Sequence, residues 1–302
     1  MHVTIFGAGA LGSVIGGLMA DSHTVSLVCR EDHAREINAD GLWIDGLVER
    51  KAFPKSSVSV AGLPVQDLVI LTVKAYDTRS AMRSIAPLIG EGTSILVIQN
   101  GLTVLRDVKE MTPGASVGAA SFGADYIGPG HVRLTGMGDM VIGNPDDPDD
   151  RNLRALESLN STGIPCRRST EMRKEVWRKA VTSSCINPIT AITRKRNSII
   201  VDDAGINDLA RICFGESFST GVSNGQLEPD DMAFTDVEKV ARATAGNRSS
   251  MLQDVERGRR TEILHINGEI ARIGTGAGTD VRLNRTLVSL VSAISMRRDP
   301  LE

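Results

Sequence analysis

The sequence predicts an α/β protein in two parts: an N-terminal doubly wound sheet over residues 1–168 and an all-helical C-terminal domain over residues 169–302. Three observations predict it. A β-rich run at the N-terminus passes straight into a glycine-rich turn and a helical pattern; two later apolar runs have the character of parallel strands buried on both faces; and strand patterns nearly vanish after Ser169.

The first strand spans His2–Phe6, and G-A-G-A-L-G follows at once, with Gly7, Gly9 and Gly12 in GxGxxG spacing. Each glycine has a separate use: Gly7 permits the tight turn, Gly9 lets backbone amides approach a pyrophosphate, and Gly12 lets the next helix pack on the strand. The helix start supplies oriented N–H groups and partial positive charge. Gly7, Ala8, Gly9, Ala10, Leu11 and Gly12 are therefore the predicted dinucleotide turn of a Rossmann-type sheet. The second strand, T-V-S-L-V-C, ends at Arg30, where an NAD enzyme usually presents an acidic residue to the ribose. A guanidinium suits the extra 2′-phosphate of NADP. The adjacent Glu31 is the alternative ribose partner, and an ordinary surface arginine is the plainer reading.

D-L-V-I-L-T-V-K ends at Lys74, and S-I-L-V-I-Q-N-G ends at Asn100 and Gly101. Ligands of doubly wound sheets bind beyond the carboxyl ends of strands, which makes Lys74 and Asn100 candidates for the cofactor and substrate side. After residue 115, S-V-G-A-A-S-F, H-V-R-L-T-G and M-V-I-G read as short strands separated by glycine turns. The acidic N-P-D-D-P-D-D at 144–150 reads as a solvated turn, because its two prolines and spacing do not suit a calcium loop. A helical period over 151–160 and a strand at I-P-C-R-R complete the first domain, and the boundary is placed close to Ser169.

The second domain opens on V-W-R-K-A-V-T-S-S-C-I-N-P-I-T-A-I at 176–192. At about 100° per residue, Lys179, Ser183 and Asn187 form one polar stripe on an otherwise apolar helix. Pro188 removes a backbone donor and crowds the Ser184 carbonyl, so the helix is expected to kink or end near Asn187. Lys179 either snorkels to the surface or is held for chemistry. Further on, T-D-V-E at 235–238 has the form of a capping box with Thr235 as N-cap and Glu238 at N3. In N-R-S-S-M-L-Q-D-V-E, Asn247, Ser250 and Asp254 share a face, and T-E-I-L-H-I-N-G-E-I starts a helix with Glu262 beside an isoleucine stripe. The apolar face within residues 199–218 serves either the core or a homodimer surface; both stay open.

Composition narrows the partners. With 41% apolar and 24% charged residues and a formal charge of −3, the chain has the make-up of an ordinary globular protein with no electrostatic partner, and the short Arg257, Arg259, Arg260 cluster is no nucleic-acid arm. Four dispersed cysteines and five dispersed histidines show no metal-ligand spacing. No run reaches the roughly 20 apolar residues of a membrane span, and no basic, cleavable segment precedes V-T-I-F. The expectation is a cytoplasmic protein that binds no metal, nucleic acid or membrane.

Taken in order, G-A-G-A-L-G, V-K-A-Y-D-T, Q-N-G, W-R-K-A-V…N-P-I-T-A-I and N-R-S-S-M-L-Q-D-V…R-T-E-I-L-H-I-N-G resemble the ketopantoate reductase family over nearly the whole chain. The resemblance implies a Rossmann domain, a helical domain of the 6-phosphogluconate dehydrogenase C-terminal type, a substrate cleft between them, and NADPH as hydride donor. The implied reaction is reduction of 2-dehydropantoate to pantoate in pantothenate and coenzyme A biosynthesis. Lys179 matches the catalytic lysine and general acid, and Glu262 its acidic partner. Asn100, Ser183, Asn187, Asn247 and Ser250 match substrate-contacting positions; Arg30, Lys74, Asn100 and Glu262 fall on the cofactor side together with the glycine turn. Well-known members carry asparagine where this chain has Ser183, which opens the alternative of a related reductase acting on another 2-oxo acid or small carbonyl.

The chemistry asks for the same groups. Hydride reaching C2 of a 2-oxo acid leaves charge on the carbonyl oxygen, so a cationic donor able to release a proton lowers the barrier. Burial pulls the lysine pKa down and a carboxylate such as Glu262 opposes that shift, with the winner left open by sequence. Ser250 and Asn247 are candidate donors to the substrate carboxylate.

Overall fold

The computed structural model describes residues 1–147 and 154–296. In chain order the first elements are β1 (His2–Phe6), α1 (Ala10–Met19), β2 (Thr24–Val28), α2 (Glu31–Asp40), β3 (Leu42–Gly46), β4 (Arg50–Ala52), β5 (Lys55–Ser57) and β6 (Leu68–Leu71). There follow α3 (Thr78–Ser84), β7 (Ser94–Ile98), α4 (Thr103–Met111), β8 (Ser116–Gly128), β9 (His131–Gly143), α5 (Arg154–Ser161) and β10 (Cys166–Arg168). The rest is helical: α6 (Met172–Thr193), α7 (Ile199–Asp202), α8 (Ala204–Ser223), α9 (Phe234–Ala243), α10 (Ser250–Glu256), α11 (Asn267–Ala277) and α12 (Arg282–Met296). Pro148, Asp149 and Asp150 of the acidic run, and residues 151–153 of the helical period after it, lie outside the described residues.

The strands form one ten-stranded sheet in the order β4-β3-β9-β8-β7-β6-β1-β2-β5, with β10 also on β9. Its parallel heart, β7-β6-β1-β2-β5, is the expected Rossmann-type core, built from apolar runs such as L-V-I-L in which every residue is buried. The register aligns Phe6 with both Val28 and Leu71, so the glycine turn, Arg30 and Lys74 all leave the sheet at one carboxyl edge. Past β7 the sheet is mixed: β9 runs antiparallel to β8, while β3 and β10 lie parallel to successive parts of β9.

Helix α1 sits in the curl of this sheet, and from Gly12 to Met19 it is buried on all sides. Two glycines allow it. A Cβ on Gly16 would press on Leu27 and Ile5, and one on Gly17 would lie 3.0 Å from Leu42 and closer still to Ile44. The helix is thus gripped from β1/β2 on one side and β3 on the other, in a core that includes Ile5, Ile15, Leu27, Ile44 and Met140.

The three short strands expected after residue 115 are two 13-residue strands. H-V-R-L-T-G and M-V-I-G belong to one β9, and Gly123 faces Gly136 inside the β8–β9 ladder, with register shifts beside it. Glycines that read locally as turns are here irregularities within a continuous pair.

By internal contacts the chain divides into a first unit of Met1–Gln99 and Val104–Met172 and a second of Asn100–Thr103 with Arg173 onward. The helical unit has its own core of Ala191, Met251, Val255, Ile263, Ile266 and Val291. Two local details differ from expectation. The α9 N-cap is Ala233, with the Asp236 carboxylate accepting from its N–H at 2.9 Å, rather than Thr235 with Glu238. Before α11 the chain makes only a 3-10 turn, Ile263–His265. Of the two outcomes expected at Pro188, a kink or an end, the end does not occur: α6 runs through the proline to Thr193. The Ser184 carbonyl that Pro188 leaves without its helical donor accepts from Asn267 Nδ2 at 3.1 Å and Cys213 Sγ at 3.3 Å, which removes the main cost of continuing.

Candidate functional site

In the first unit the G-A-G-A-L-G turn shows three different glycine environments. Gly7 has φ +91°, and a Cβ there would lie 2.7 Å from Val73 N; Gly12 is pressed against Thr72 and Ile5. Gly9 faces open space, its Cβ position meeting only Gly7 O at 3.9 Å. Ala8 is buried, with its N–H donating to Val28 O at 3.0 Å. The first amide of α1 to find a partner in the turn is Ser13 N–H, on Gly9 O, which leaves the N–H groups of Ala10, Leu11 and Gly12 as the free start of a helix. An open face over Gly9 beside those donors fits a pyrophosphate. Arg30 is exposed and caps α2, with Glu31 the first residue of that helix. Lys74 is half-buried just beyond β6, and its carbonyl accepts from Asp77 N–H at 2.8 Å.

In the helical unit the α6 stripe is real and partly exposed at all three positions: Lys179, Ser183 and Asn187 are half-buried, whereas Ala180, Val181, Ser184 and Ile186 between them are buried. Burial around the Lys179 amine pulls its pKa from 10.5 down to about 8, and the Glu262 charge works in the opposite direction. Desolvation wins that contest. Glu262 is only 4% exposed and accepts from Asn100 Nδ2 at 3.3 Å.

Four polar side chains here have no hydrogen-bond partner among the described residues: Ser183, Asn187, Asn247 and Ser250, all half-buried. Their sequence neighbours are engaged. Ser184 Oγ pairs with Ser217 at 2.9 Å, Ser249 caps α10 by accepting from Leu252 N–H, and Thr190 donates to Ser249 at 2.7 Å. The S-S pairs at 183–184 and 249–250 thus each divide into one buried, satisfied hydroxyl and one with its capacity unused. Asp254, expected on the Asn247–Ser250 face, is buried at 4% exposure.

Asn100 is carried by a segment of its own. Leu102 N–H donates to His265 O at 3.0 Å, Thr103 Oγ1 lies 3.0 Å from His265 Nδ1, and Gly101 at φ +90° packs on the His265 backbone. Residues 262–265 thereby hold 100–103, so Asn100 shares a unit with Lys179 and Glu262. Sequence reasoning missed Thr103 and His265; they are 162 positions apart, and no local pattern announces the pair. Asn267, which rescues the Ser184 carbonyl, was visible only as part of I-N-G. Among the described residues no group of three His, Cys, Asp or Glu side chains could hold a metal ion, and no helix is long and apolar enough to cross a membrane.

Comparison with known proteins bears on this arrangement. Residues 3–147 match the family model described as ketopantoate reductase PanE/ApbA, and residues 171–295 match its C-terminal counterpart. The 2-dehydropantoate 2-reductase of Archaeoglobus fulgidus is 34% identical over 297 residues, covering 97% of each chain. A PanE/ApbA family ketopantoate reductase from Ralstonia eutropha JMP134 superposes with a TM-score of 0.89 at 30% identity, over 98% of each chain. A D-mandelate dehydrogenase solved with NADH and anilino(oxo)acetate shares the fold, with a TM-score of 0.87 at 24% identity over 98% of each chain. Both halves of the chain, in order and at full length, place it in the ketopantoate reductase PanE/ApbA family.

Proposed function

We propose that the chain reduces 2-dehydropantoate to pantoate with NADPH, with Lys179 as general acid. The observation that carries this reading is the Lys179–Glu262 pair: a desolvated amine, its pKa lowered to about 8, offset by a buried carboxylate. NADPH would rest on the Gly7–Gly12 turn with its 2′-phosphate against Arg30, and when bound it supplies the hydride. The chain's own residues do the rest. Lys179 is cationic at neutral pH and close enough to its pKa to pass a proton to the oxygen at C2. Glu262, oriented by Asn100, keeps the ammonium from being lost to desolvation altogether. Asn247 and Ser250 donate to the substrate carboxylate, and Ser183 and Asn187 line the substrate beside Lys179. In domain terms, 1–168 binds the cofactor and 169–302 the substrate, with Asn100 added to the latter. Four unpaired cysteines suit work in the reducing cytoplasm.

The assay is NADPH oxidation with 2-dehydropantoate. Lys179→Ala is expected to lower kcat/KM by about 10²–10⁴-fold in a folded protein; an unchanged rate would remove the lysine from this role. The second reading, another 2-oxo acid as substrate, is favoured by the short Ser183 hydroxyl with its unused capacity. A panel of 2-oxo acids decides, since 2-dehydropantoate must then lose clearly in kcat/KM.

A further inference from the structure

The first unit contains a buried hydrogen-bond chain that ends on the glycine turn. His33, in the first turn of α2, is 1% exposed. Gly130 N–H, between β8 and β9, donates to its Nδ1 at 2.9 Å. Burial holds the ring pKa down at about 4, so the imidazole is neutral and its one proton must sit on Nε2. Nε2 is 2.9 Å from Ser13 Oγ, and Ser13 Oγ is 3.3 Å from Ala8 O. Directions follow from the first donor: Gly130 N–H to His33, His33 Nε2–H to Ser13, Ser13 O–H to Ala8 O. The Tyr126 ring, 5.0 Å from the imidazole, closes one side of it.

Ala8 O belongs to the Ala8–Gly9 peptide. In a trans peptide the carbonyl and N–H point opposite ways; the Gly9 N–H is turned onto Gly7 O at 2.7 Å and the Ala8 carbonyl onto Ser13, so the Ser13 bond holds the second end of the peptide whose plane shapes the turn at Gly9. Each bond in such a chain also polarises the next. His33 lies three residues after Arg30, so one side chain ties the turn to the strand end that carries the arginine.

We propose that His33 is a positioning residue for dinucleotide binding, acting through Ser13 to fix the Ala8–Gly9 peptide. This rests on the glycine turn being the cofactor site. It predicts a particular pattern among His33→Asn, His33→Gln, Ser13→Ala and the His33→Asn/Ser13→Ala double variant. An asparagine amide reaches the position of Nδ1 but not Ser13; a glutamine amide reaches Ser13.

The test is NADPH titration of the full chain by cofactor fluorescence, with thermal melts and steady-state rates alongside. His33→Asn and Ser13→Ala should each raise the NADPH Kd about tenfold, the loss of one hydrogen-bond linkage. The double variant should be no worse than the poorer single one, and His33→Gln should restore affinity to within about twofold, because only the Ser13 link matters for the turn. The NADPH KM should rise while kcat at saturating NADPH and the KM for the oxo acid hold. Unchanged Kd in folded Ser13→Ala, additive losses in the double variant, or failure of glutamine where asparagine succeeds would each overturn the proposal. If His33→Asn does not fold, Ser13→Ala and His33→Gln still decide it. A wild-type chain that binds NADPH but does not reduce 2-dehydropantoate would sink the functional reading and leave this one standing; one that binds no NADPH sinks the site itself.

Discussion

Lys179 is where burial and charge are opposed most directly. Desolvation lowers its pKa to about 8 against the pull of Glu262. With Lys179 as the proposed general acid, kcat/KM for reduction is expected to fall as pH rises through about 8, tenfold per further unit. Glu262→Gln removes the charge that raises the pKa, so the falling limb should move to lower pH; a limb that stays in place would show that the carboxylate has another task. His33 gives a second pH effect, on stability. Its folded pKa of about 4 lies below the ordinary 6.5, so between those values the unfolded chain holds the extra proton. Unfolding free energy should therefore decrease as pH falls from 6.5 to about 4 and level off below, by up to about 1.4 kcal/mol per unit. Denaturant titrations of wild type and His33→Gln read the difference; an equal slope in both would exclude this histidine as the cause.

At the scale of elements, α6 shows how a sequence rule is overridden. Pro188 is expected to kink or end the helix, yet α6 continues past it: Asn267 and Cys213 occupy the carbonyl it strands, and Asn267 also donates to Asn284 Oδ1 at 3.0 Å. Asn267→Ala is expected to cost about 1–3 kcal/mol, measured by chemical denaturation. In a Pro188→Ala background the cost should shrink, because the new Ala N–H serves Ser184 O; an unchanged cost would mean that the asparagine acts elsewhere. Helix α1 carries the opposite lesson. Its strand-turn-helix setting was legible from glycine spacing, while its complete burial was not, since that depends on β3 closing over Gly17 from 25 residues further along. The capping box at Thr235 failed for a simpler reason: Asp236 offers a carboxylate two residues earlier, to the Ala233 N–H.

For the molecule as a whole, cofactor binding should register as stability. NADPH at a hundred times its Kd stabilises the folded chain by about 2.7 kcal/mol, visible as a rise in Tm. On the proposed contact between Arg30 and the 2′-phosphate, Arg30→Ala should remove much of the NADPH effect and spare that of NADH. Equal losses with both cofactors would instead implicate Glu31 or the turn.

Sequence alone determined the periodic and contiguous features: the Rossmann-type strand-turn-helix opening, the buried strands that lead up to Lys74 and Asn100, the helical second half and the stripe of Lys179, Ser183 and Asn187. These are set by residue spacing within one element, which backbone geometry translates directly into a face. Tertiary structure decided which groups are spent and which are left. Among the described residues it gave the Ser184 and Ser249 hydroxyls partners in the core, buried Asp254, left the Ser183, Asn187, Asn247 and Ser250 side chains without hydrogen-bond partners, bound Asn100 to Glu262, and settled the Lys179 contest in favour of desolvation. Hydration and hydrogen-bond partnership depend on what distant segments bring into contact, and a spacing rule carries no information about that.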